Sequence, residues 1–388
     1  MKKRKTLKVI LISISSTLGL VILLILGYVG YIVFSYSRIG DKSLSITNNS
    51  KQEEVLTNKD YRCITYNLGF GAYSQDFTFF LDTGYDLEGK STCGHYSKAK
   101  SKNDVIFNTN GAINTVKEQN IDFALFQEVD TNSTRSHHVN QDQMIKEEFE
   151  AYDHIHAVNF NTAYLPYPLY DMHGKSKAGL TTISKYKIEE AKRIEYPISN
   201  SLSKFFDLDR CFSYSKIKVE NGKNFYLVNS HMSAYDKGGK IRQQQIDKLN
   251  QFLSECKERQ DYVLIGGDFN HDLITNNPNY SYTSENRPFD VGKKDPDWVS
   301  YFFDENQKSP LVEGYQVYAS DNNPTCRNND MEWVPGETYV CAVDGFIASN
   351  NIKVNFVNNI QTKNGNKGLD GFAYSDHEPS LISFELIG

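Results

Sequence analysis

From residue 60 onward, short apolar runs alternate with segments whose apolar residues recur at helical spacing. The runs are rich in β-branched and aromatic residues, and they predict strands at YRCITYNLG, IDFALFQEVD, GLTTISKY, NFYLVNSHMS, DYVLIGGDFN, VDGFIASN and PSLISFEL. Helices are predicted at residues 105–120 and 238–259, and a helix or helical turn is predicted at residues 141–150. Residues 271–300 are rich in Asn, Pro, Tyr and Asp and predict a loop. The pattern indicates mostly alternating strands and helices.

The N-terminal part of the chain has a different pattern. Val9–Ser37 contains no charged residue, and the basic segment MKKRKTLK precedes it. About 20 apolar residues suffice to cross a bilayer, whereas the apolar region of a cleaved signal peptide is roughly 7–15 residues long. We therefore predict a cytoplasmic tail at 1–8, an uncleaved transmembrane anchor at 9–37, a polar linker at 38–59 and one catalytic domain at 60–388. Positive charge before the anchor places that domain outside the cytoplasm, on a single-pass protein of the cell membrane.

Charge and cysteine content reduce the number of possible functions. Residues 1–38 hold six basic residues and no acid, so the rest of the chain has 36 basic and 48 acidic residues and a net charge of about −12. Nucleic-acid binding relies on neutralising phosphates, so this balance argues against tight nonspecific binding of DNA. The six cysteines form no CxxC pair, which argues against a zinc site. Disulfides are compatible with an extracytoplasmic domain, and their connectivity stays open.

Short polar motifs follow the apolar runs at the points where strands are expected to end. They are TYNLGFG (65–71), FQEVD (126–130), VNSHMS (228–233), IGGDFN (265–270), VDGF (343–346) and SDHEP (375–379). The motifs supply carboxylates, amides and histidines but no cysteine or serine nucleophile, a set that suits a hard divalent cation and an activated water. Asp268 and Asn270 are two positions apart, so both side chains point the same way from an extended backbone. Together these features predict hydrolysis of phosphate esters.

On these motifs, GGDFN and the closing SDH above all, the sequence resembles the endonuclease/exonuclease/phosphatase superfamily from Asp60 to Gly388. The resemblance implies an α/β fold, a four-layer α/β sandwich in which helices flank two packed mixed sheets. It also implies dependence on Mg²⁺ or Mn²⁺. The residues that it assigns to the metal are Asn67, Glu128 and Asp376, and those that it assigns to catalysis are His231, Asp268, Asn270, Asp344 and His377.

The resemblance also suggests how these residues act. Asp268 orients or deprotonates the attacking water, and Asn270 donates to a phosphate oxygen. His231 and His377 bind the phosphate or move protons, and Asp344 fixes the tautomer of His377. Weaker candidates for contacting the substrate are Arg210, Tyr235, His137 and His138.

We therefore expect a membrane-anchored, extracytoplasmic, Mg²⁺-dependent phosphoesterase, with phosphodiesters favoured as substrates. The expected substrates are a lipid head group, a nucleotide or a nucleic acid, and a monomer with no obligate protein partner is expected. The alternatives are an extracellular endonuclease or exonuclease, a phosphomonoesterase on lipid or inositol phosphates, and a binding module without catalysis. The inositol 5-phosphatase branch carries a Pro-Ala-Trp-Cys-Asp-Arg signature, and the corresponding stretch here, ETYVCAVDGF, lacks it.

Overall fold

The computed structural model describes residues 2–205, 207–234, 239–363 and 368–388. The helices within these ranges are α1 (Lys2–Ser35), α2 (Lys102–Lys117), α3 (Gln141–Glu148) and α4 (Lys240–Glu258), with 3₁₀ turns at Gly69–Gly71 and Leu202–Phe205. The strands are β1 (Lys42–Ser43), β2 (Asp60–Asn67), β3 (Thr83–Tyr85), β4 (Ser91–Cys93), β5 (Phe123–Asp130), β6 (Asp153–Asn161), β7 (Lys177–Ser184), β8 (Ile188–Glu195), β9 (Cys211–Lys218), β10 (Asn224–His231), β11 (Tyr262–Asp268), β12 (Tyr315–Tyr318), β13 (Cys326–Arg327), β14 (Val340–Cys341), β15 (Asp344–Ser349), β16 (Ile352–Asn359) and β17 (Ser380–Leu386).

The strands form two large mixed sheets. One sheet has the order β1-β8-β9-β10-β11-β15-β12, and the other has the order β16-β17-β2-β5-β7-β6. Each contains one parallel pair, β10 with β11 and β2 with β5, and the remaining neighbours are antiparallel. Two small hairpins, β3-β4 and β13-β14, lie outside the large sheets.

The sheets pack face to face, with helices on both outer faces. Phe123 and Leu125 of one sheet and Leu264 and Phe346 of the other are fully buried in a shared core. The outer face of the larger sheet packs on α4, and that of the smaller sheet packs on α2 and α3. Burying one Leu or Phe side chain contributes roughly 1.5–3 kcal/mol to the free energy of folding. Each strand and helix therefore packs with its apolar face inward, and this produces the layers. The predicted four-layer α/β sandwich is confirmed.

Two local features place functional residues at one end of the sheets. Gly267 lies where β10 and β11 approach so closely that a Cβ would lie 1.9 Å from the Ser230 carbonyl oxygen, and a side chain there would separate the strands. The pairing of β5 with β7 shifts register between Phe126 and Val129, and Glu128 within this bulge has a φ of +52°. Few non-glycine residues adopt that conformation, and bulges of this kind redirect a side chain at the end of a strand.

The N-terminal segments extend from this domain. Within the described ranges, the part of α1 at Arg4–Ser35 is the one helix long and apolar enough to cross a membrane. Residues 38–59, predicted as a linker from their polarity, lie against the domain: β1 pairs with β8, and Val55 is fully buried in the core between the sheets. The buried guanidinium of Arg193 donates hydrogen bonds to the carbonyl oxygens of Ile39 and Gly40. It also donates to those of Val158 in β6 and of Asp209 just before β9. These contacts are long-range, so composition alone did not indicate them.

Candidate active site

The ends of the two parallel strand pairs meet at one edge of the sandwich. Asn67 ends β2 and pairs with Gln127 of β5, which places Glu128 directly beyond it. His231 and Asp268 end β10 and β11 as register partners, and Asp268 is also the partner of Asp344 at the start of β15. Because parallel strands present their carboxyl ends at the same edge, residues far apart in sequence come together here.

Asp268 lies at the centre of this group. Its carboxylate accepts hydrogen bonds from the Asn67 Nδ2 at 3.0 Å and from the Asn270 backbone N–H at 2.9 Å. Its Oδ2 atom lies 3.4 Å from the His231 Nε2 and 3.8 Å from the His377 Nε2. The side chain is 2% exposed, and this burial raises the pKa of Asp268 to about 6. A carboxylate with that pKa is suited to accept a proton near neutral pH.

The two histidines beside Asp268 have opposite protonation preferences. The ring of His377 donates from Nδ1 to Asp344 Oδ2 at 2.7 Å, and although burial alone would lower the pKa of His377, the Asp344 carboxylate holds it well above its usual range. Burial, with a further contribution from Arg210, lowers the pKa of His231 well below its usual range. These opposite shifts favour a protonated His377 as a proton donor and a neutral His231 as an acceptor.

Glu128 and Asp376 place two further carboxylates next to Asn67. Asp376 lies beside the turn that follows β2, where a Cβ on Gly69 would be 2.5 Å from Asp376 Oδ1. Burial raises the pKa of Glu128, Arg135 lowers it, and the Asp376 carboxylate raises it further. Two carboxylates that repel each other next to an amide oxygen fit a hard divalent cation, which would relieve that repulsion.

A second set of groups is also compatible with a cation. Ligand atoms of Asp268, Asp344 and His377 all lie within 4.8 Å of one another. His377 already donates to Asp344 through Nδ1, so a cation could bind only at its Nε2, and only after that nitrogen has lost its proton. The described residues therefore include a possible acidic and histidine metal site, in line with the predicted metal dependence.

Several residues that surround the site were not predicted from the sequence. Arg135 is buried, donates two hydrogen bonds to Asp130 and lies 3.9 Å from Glu128 Oε2. Its guanidinium stacks on the Phe70 ring, 4.0 Å from the ring centroid, which fixes the cation beside the carboxylate. Asn329 donates from Nδ2 to Asp376 at 2.8 Å and to Asp82 at 3.2 Å. Neither residue follows an apolar run, so the pattern that identified the other candidates gave no signal for them.

The four weaker candidates have different positions. Arg210 is buried, donates to the Met232 carbonyl oxygen at 2.9 Å and influences the pKa of both Glu128 and His231, so it faces the site. His137 donates to the carbonyl oxygen of Ala99, in the segment before α2, at 2.7 Å, and His138 bonds with Asn132 of its own loop at 2.6 Å, so both rings have structural partners. Tyr235 lies outside the described residues.

Comparisons with known proteins agree with this geometry. A sequence model of the endonuclease/exonuclease/phosphatase family matches residues 105–292. No curated protein sequence matches the chain. Among solved structures, TDP2 from D. rerio, complexed with a single-strand DNA product, is 14% identical with a TM-score of 0.51, covering 84% of this chain and 100% of that one. ANGEL2, described as a 2',3'-cyclic phosphatase and bound to adenosine-2',3'-vanadate, is 14% identical with a TM-score of 0.51, covering 88% of this chain and 98% of that one.

The sandwich fold, with carboxylates, amides and histidines at its strand ends, defines a hydrolase of phosphoric ester bonds. Residues 105–292 of the chain match the endonuclease/exonuclease/phosphatase family, and the fold of the whole domain agrees with that match. The family and the enzyme class predicted from the sequence are thereby confirmed. The solved structures support the shared fold, and the substrates in their descriptions are those of the proteins concerned.

Proposed function

We propose that this enzyme is a membrane-anchored, extracytoplasmic phosphodiesterase that depends on Mg²⁺ or Mn²⁺. The observation that carries the proposal is the convergence on Asp268 of one amide and two histidine side chains, next to the Glu128 and Asp376 carboxylates. A buried carboxylate with these neighbours is equipped to orient and deprotonate water. Cationic groups nearby are equipped to stabilise negative charge on a phosphate.

Each side chain has a role in the proposed mechanism. Asp268 holds the attacking water and accepts its proton as oxygen bonds to phosphorus. His377, oriented by Asp344, donates from Nε2 to a phosphate oxygen or to the leaving oxygen. His231 accepts or donates a hydrogen bond on the same face of the phosphate. One N–H of Asn270 is used by the Met232 carbonyl oxygen, which leaves the second for a phosphate oxygen.

Glu128, Asp376 and Asn67 would hold the divalent cation. Their oxygen atoms are the ligand type that Mg²⁺ and Mn²⁺ prefer. Positive charge bound there would stabilise the charge that develops on the phosphate oxygens. Arg135 adds a fixed cation next to Glu128, and its bidentate pairing with Asp130 keeps it from replacing the metal.

Two observations favour a lipid head group over bulk nucleic acid. The chain after residue 38 carries a net charge of about −12, which opposes nonspecific binding of DNA. The apolar helix α1 would hold the site near a bilayer and so raise the effective concentration of a membrane substrate. An extracellular nuclease is the second candidate, because the descriptions of TDP2 and ANGEL2 name nucleic-acid and nucleotide ligands on the same fold.

A substrate panel on the purified full-length enzyme tests the proposal. The panel contains phospholipid vesicles, single-stranded DNA, inositol phosphates and a soluble chromogenic phosphodiester, each with Mg²⁺ and with EDTA. We expect Mg²⁺-dependent hydrolysis of the diesters and the highest turnover on vesicles. Preferred hydrolysis of a monoester, or full turnover in EDTA, would contradict the proposal, and a preference for DNA would favour the nuclease. The topology is tested by antibody access to a tag after Gly388 on intact cells, where access is expected.

A further inference from the structure

An exposed apolar loop lies between β6 and β7. We call Tyr164–Tyr170 the aromatic loop. Its large side chains Tyr164, Tyr167, Leu169 and Tyr170 are 39%, 59%, 78% and 83% exposed. Single exposed apolar residues are ordinary, but four within seven residues form a patch of the kind that marks a contact surface.

The aromatic loop touches the C-terminal part of α1. The Tyr28 hydroxyl donates to the Tyr164 carbonyl oxygen at 2.9 Å, and the Tyr164 N–H donates to the Tyr31 hydroxyl at 3.1 Å. A helix rises about 1.5 Å per residue, so the twenty residues from Val9 to Tyr28 span about 30 Å, the thickness of a bilayer's hydrocarbon core. If α1 crosses the membrane, Tyr28 and Tyr31 lie at the head-group level, and the aromatic loop lies at that level with them.

The surrounding structure holds the aromatic loop in place. Leu165 and Gly174 exchange two backbone hydrogen bonds, of 3.0 and 2.9 Å. The buried His173 donates from Nδ1 to the Ser97 carbonyl oxygen at 2.6 Å. The exposed residues therefore project from a closed, anchored loop rather than from a free segment. Tyr and apolar side chains at a membrane surface are favoured because a ring buries its apolar body while its hydroxyl stays hydrated.

The aromatic loop is also linked to the candidate metal site through the segment that contains Phe80 and Asp82. The rings of Tyr167 and Phe80 pack with their centroids 5.9 Å apart. Two residues after Phe80, Asp82 accepts a hydrogen bond from Asn329, which also donates to Asp376. One ring contact and two side-chain hydrogen bonds, joined by the short segment from Phe80 to Asp82, thus link the exposed apolar surface to a carboxylate of the candidate metal site.

We propose that the aromatic loop inserts into the head-group region of the leaflet where α1 leaves the membrane, and that it holds the active-site mouth against that surface. The inference rests on the proposed membrane anchoring. The partner is a phospholipid bilayer, and the substrate class that it favours is a lipid whose phosphodiester lies at the head-group level. The aromatic loop then adds a second, short contact to the anchor and sets how the domain is oriented.

Fluorescence quenching in reconstituted full-length protein tests the insertion. Trp is introduced by Leu169→Trp in the aromatic loop, and by Ile387→Trp as the control. Ile387 is also an exposed apolar residue, at 46%. Its carbonyl oxygen accepts a hydrogen bond from the Tyr262 hydroxyl at the start of β11, so it lies at the opposite end of the strands from the active site. The background comes from Trp298 and Trp333, both buried, and is measured on the unsubstituted chain. The vesicles contain phosphatidylcholine that carries a doxyl quencher near the head group. A third variant, Ile22→Trp in α1, tests whether the anchor itself enters the bilayer.

We expect loss of fluorescence at positions 22 and 169 and none at 387. Quenching at 22 without quenching at 169 overturns the aromatic-loop proposal and leaves the anchor intact. No quenching at 22 removes the anchor, and the proposal falls with it. Quenching at 387 equal to that at 169 also overturns it, because the contact would then not be specific to the aromatic loop.

An activity measurement separates this inference from the proposed function. The double substitution Leu169→Ser with Tyr170→Ser is expected to lower hydrolysis of vesicle phospholipid several-fold while hydrolysis of the soluble phosphodiester is unchanged. Equal rates on vesicles for the variant and the unsubstituted chain overturn the aromatic-loop proposal. Absence of hydrolysis of any diester by the unsubstituted chain contradicts the proposed function instead, and the quenching result stands independently of it.

Discussion

Asp268→Asn should remove turnover while leaving the domain folded. The amide cannot accept the proton of the attacking water, and general-base catalysis typically contributes 10²–10⁴-fold, or roughly 3–5 kcal/mol of activation free energy. The hydrogen bond from the Asn270 N–H to Oδ1 can be kept, whereas the one from Asn67 to Oδ2 is lost. One lost hydrogen bond costs about 1 kcal/mol of stability, so the effect on turnover should far exceed the effect on folding.

The assay compares kcat on the soluble phosphodiester at saturating Mg²⁺ with the thermal unfolding midpoint of the same preparation. Asp272→Asn is a matched control, because Asp272 is equally buried and lies four residues on, where it accepts from the backbone N–H groups of Ile274 and Thr275 at 2.9 and 2.8 Å. It should keep kcat near that of the unsubstituted enzyme. If folded Asp268→Asn keeps kcat within about tenfold, Asp268 is not the base, and His231 becomes the first candidate for that role.

Three further predictions follow from the same geometry. EDTA should abolish hydrolysis, and Mg²⁺ or Mn²⁺ but not Zn²⁺ should restore it, since the proposed ligands are oxygen atoms; full activity in EDTA would rule this out. Asp344→Asn should lower kcat by about 10²-fold or more with little change in KM, because His377 loses the partner that orients its ring; an unchanged kcat would remove that role. Burial alone would raise the pKa of Asp142, but hydrogen bonds from His154 and His156 hold it well below its usual range. A lowered pKa contributes stability that is present above about pH 4 and lost as the pH falls further, so the unfolding midpoint of the unsubstituted chain should drop more steeply below pH 4 than that of Asp142→Asn; parallel curves would contradict this.

The fold could be predicted largely because its signals are local. Each strand of the two parallel pairs is seven or eight residues long and contains a short apolar run, which marks the strand without knowledge of its partners. Helix ends were less accurate: α2 begins at Lys102 rather than 105, because Ser101 caps it by accepting from the Asp104 N–H. Such a cap depends on a single side chain, which a periodicity of apolar residues does not register.

The active-site residues also differ in whether a local sequence signal predicted them. Residues at the ends of strands, such as His231 and Asp268, were identified because their position along the chain already indicates the edge of the sheet. Arg135 and Asn329 reach Glu128 and Asp376 from loops, and loop paths are set by tertiary contacts. The docking of residues 38–59 was missed for the same reason, since a polar composition says nothing about a single buried Val55 or about carbonyl oxygens that Arg193 can reach.

If α1 anchors the enzyme in a membrane as proposed, the docking of residues 38–59 determines how far the active site can move from that membrane. A flexible tether would let the domain sample a volume above its anchor, whereas a segment paired to β8 and bonded to Arg193 fixes the domain directly on top of α1. On the proposed membrane anchoring, the active site then stays at one height and one tilt, and the search for the proposed lipid substrate becomes two-dimensional, by lateral diffusion of enzyme and lipid. The number of residues in 38–59 therefore does not set the distance between the active site and the membrane. Inserting residues into this segment would break its contacts with the domain, and the domain would no longer be held against the membrane surface.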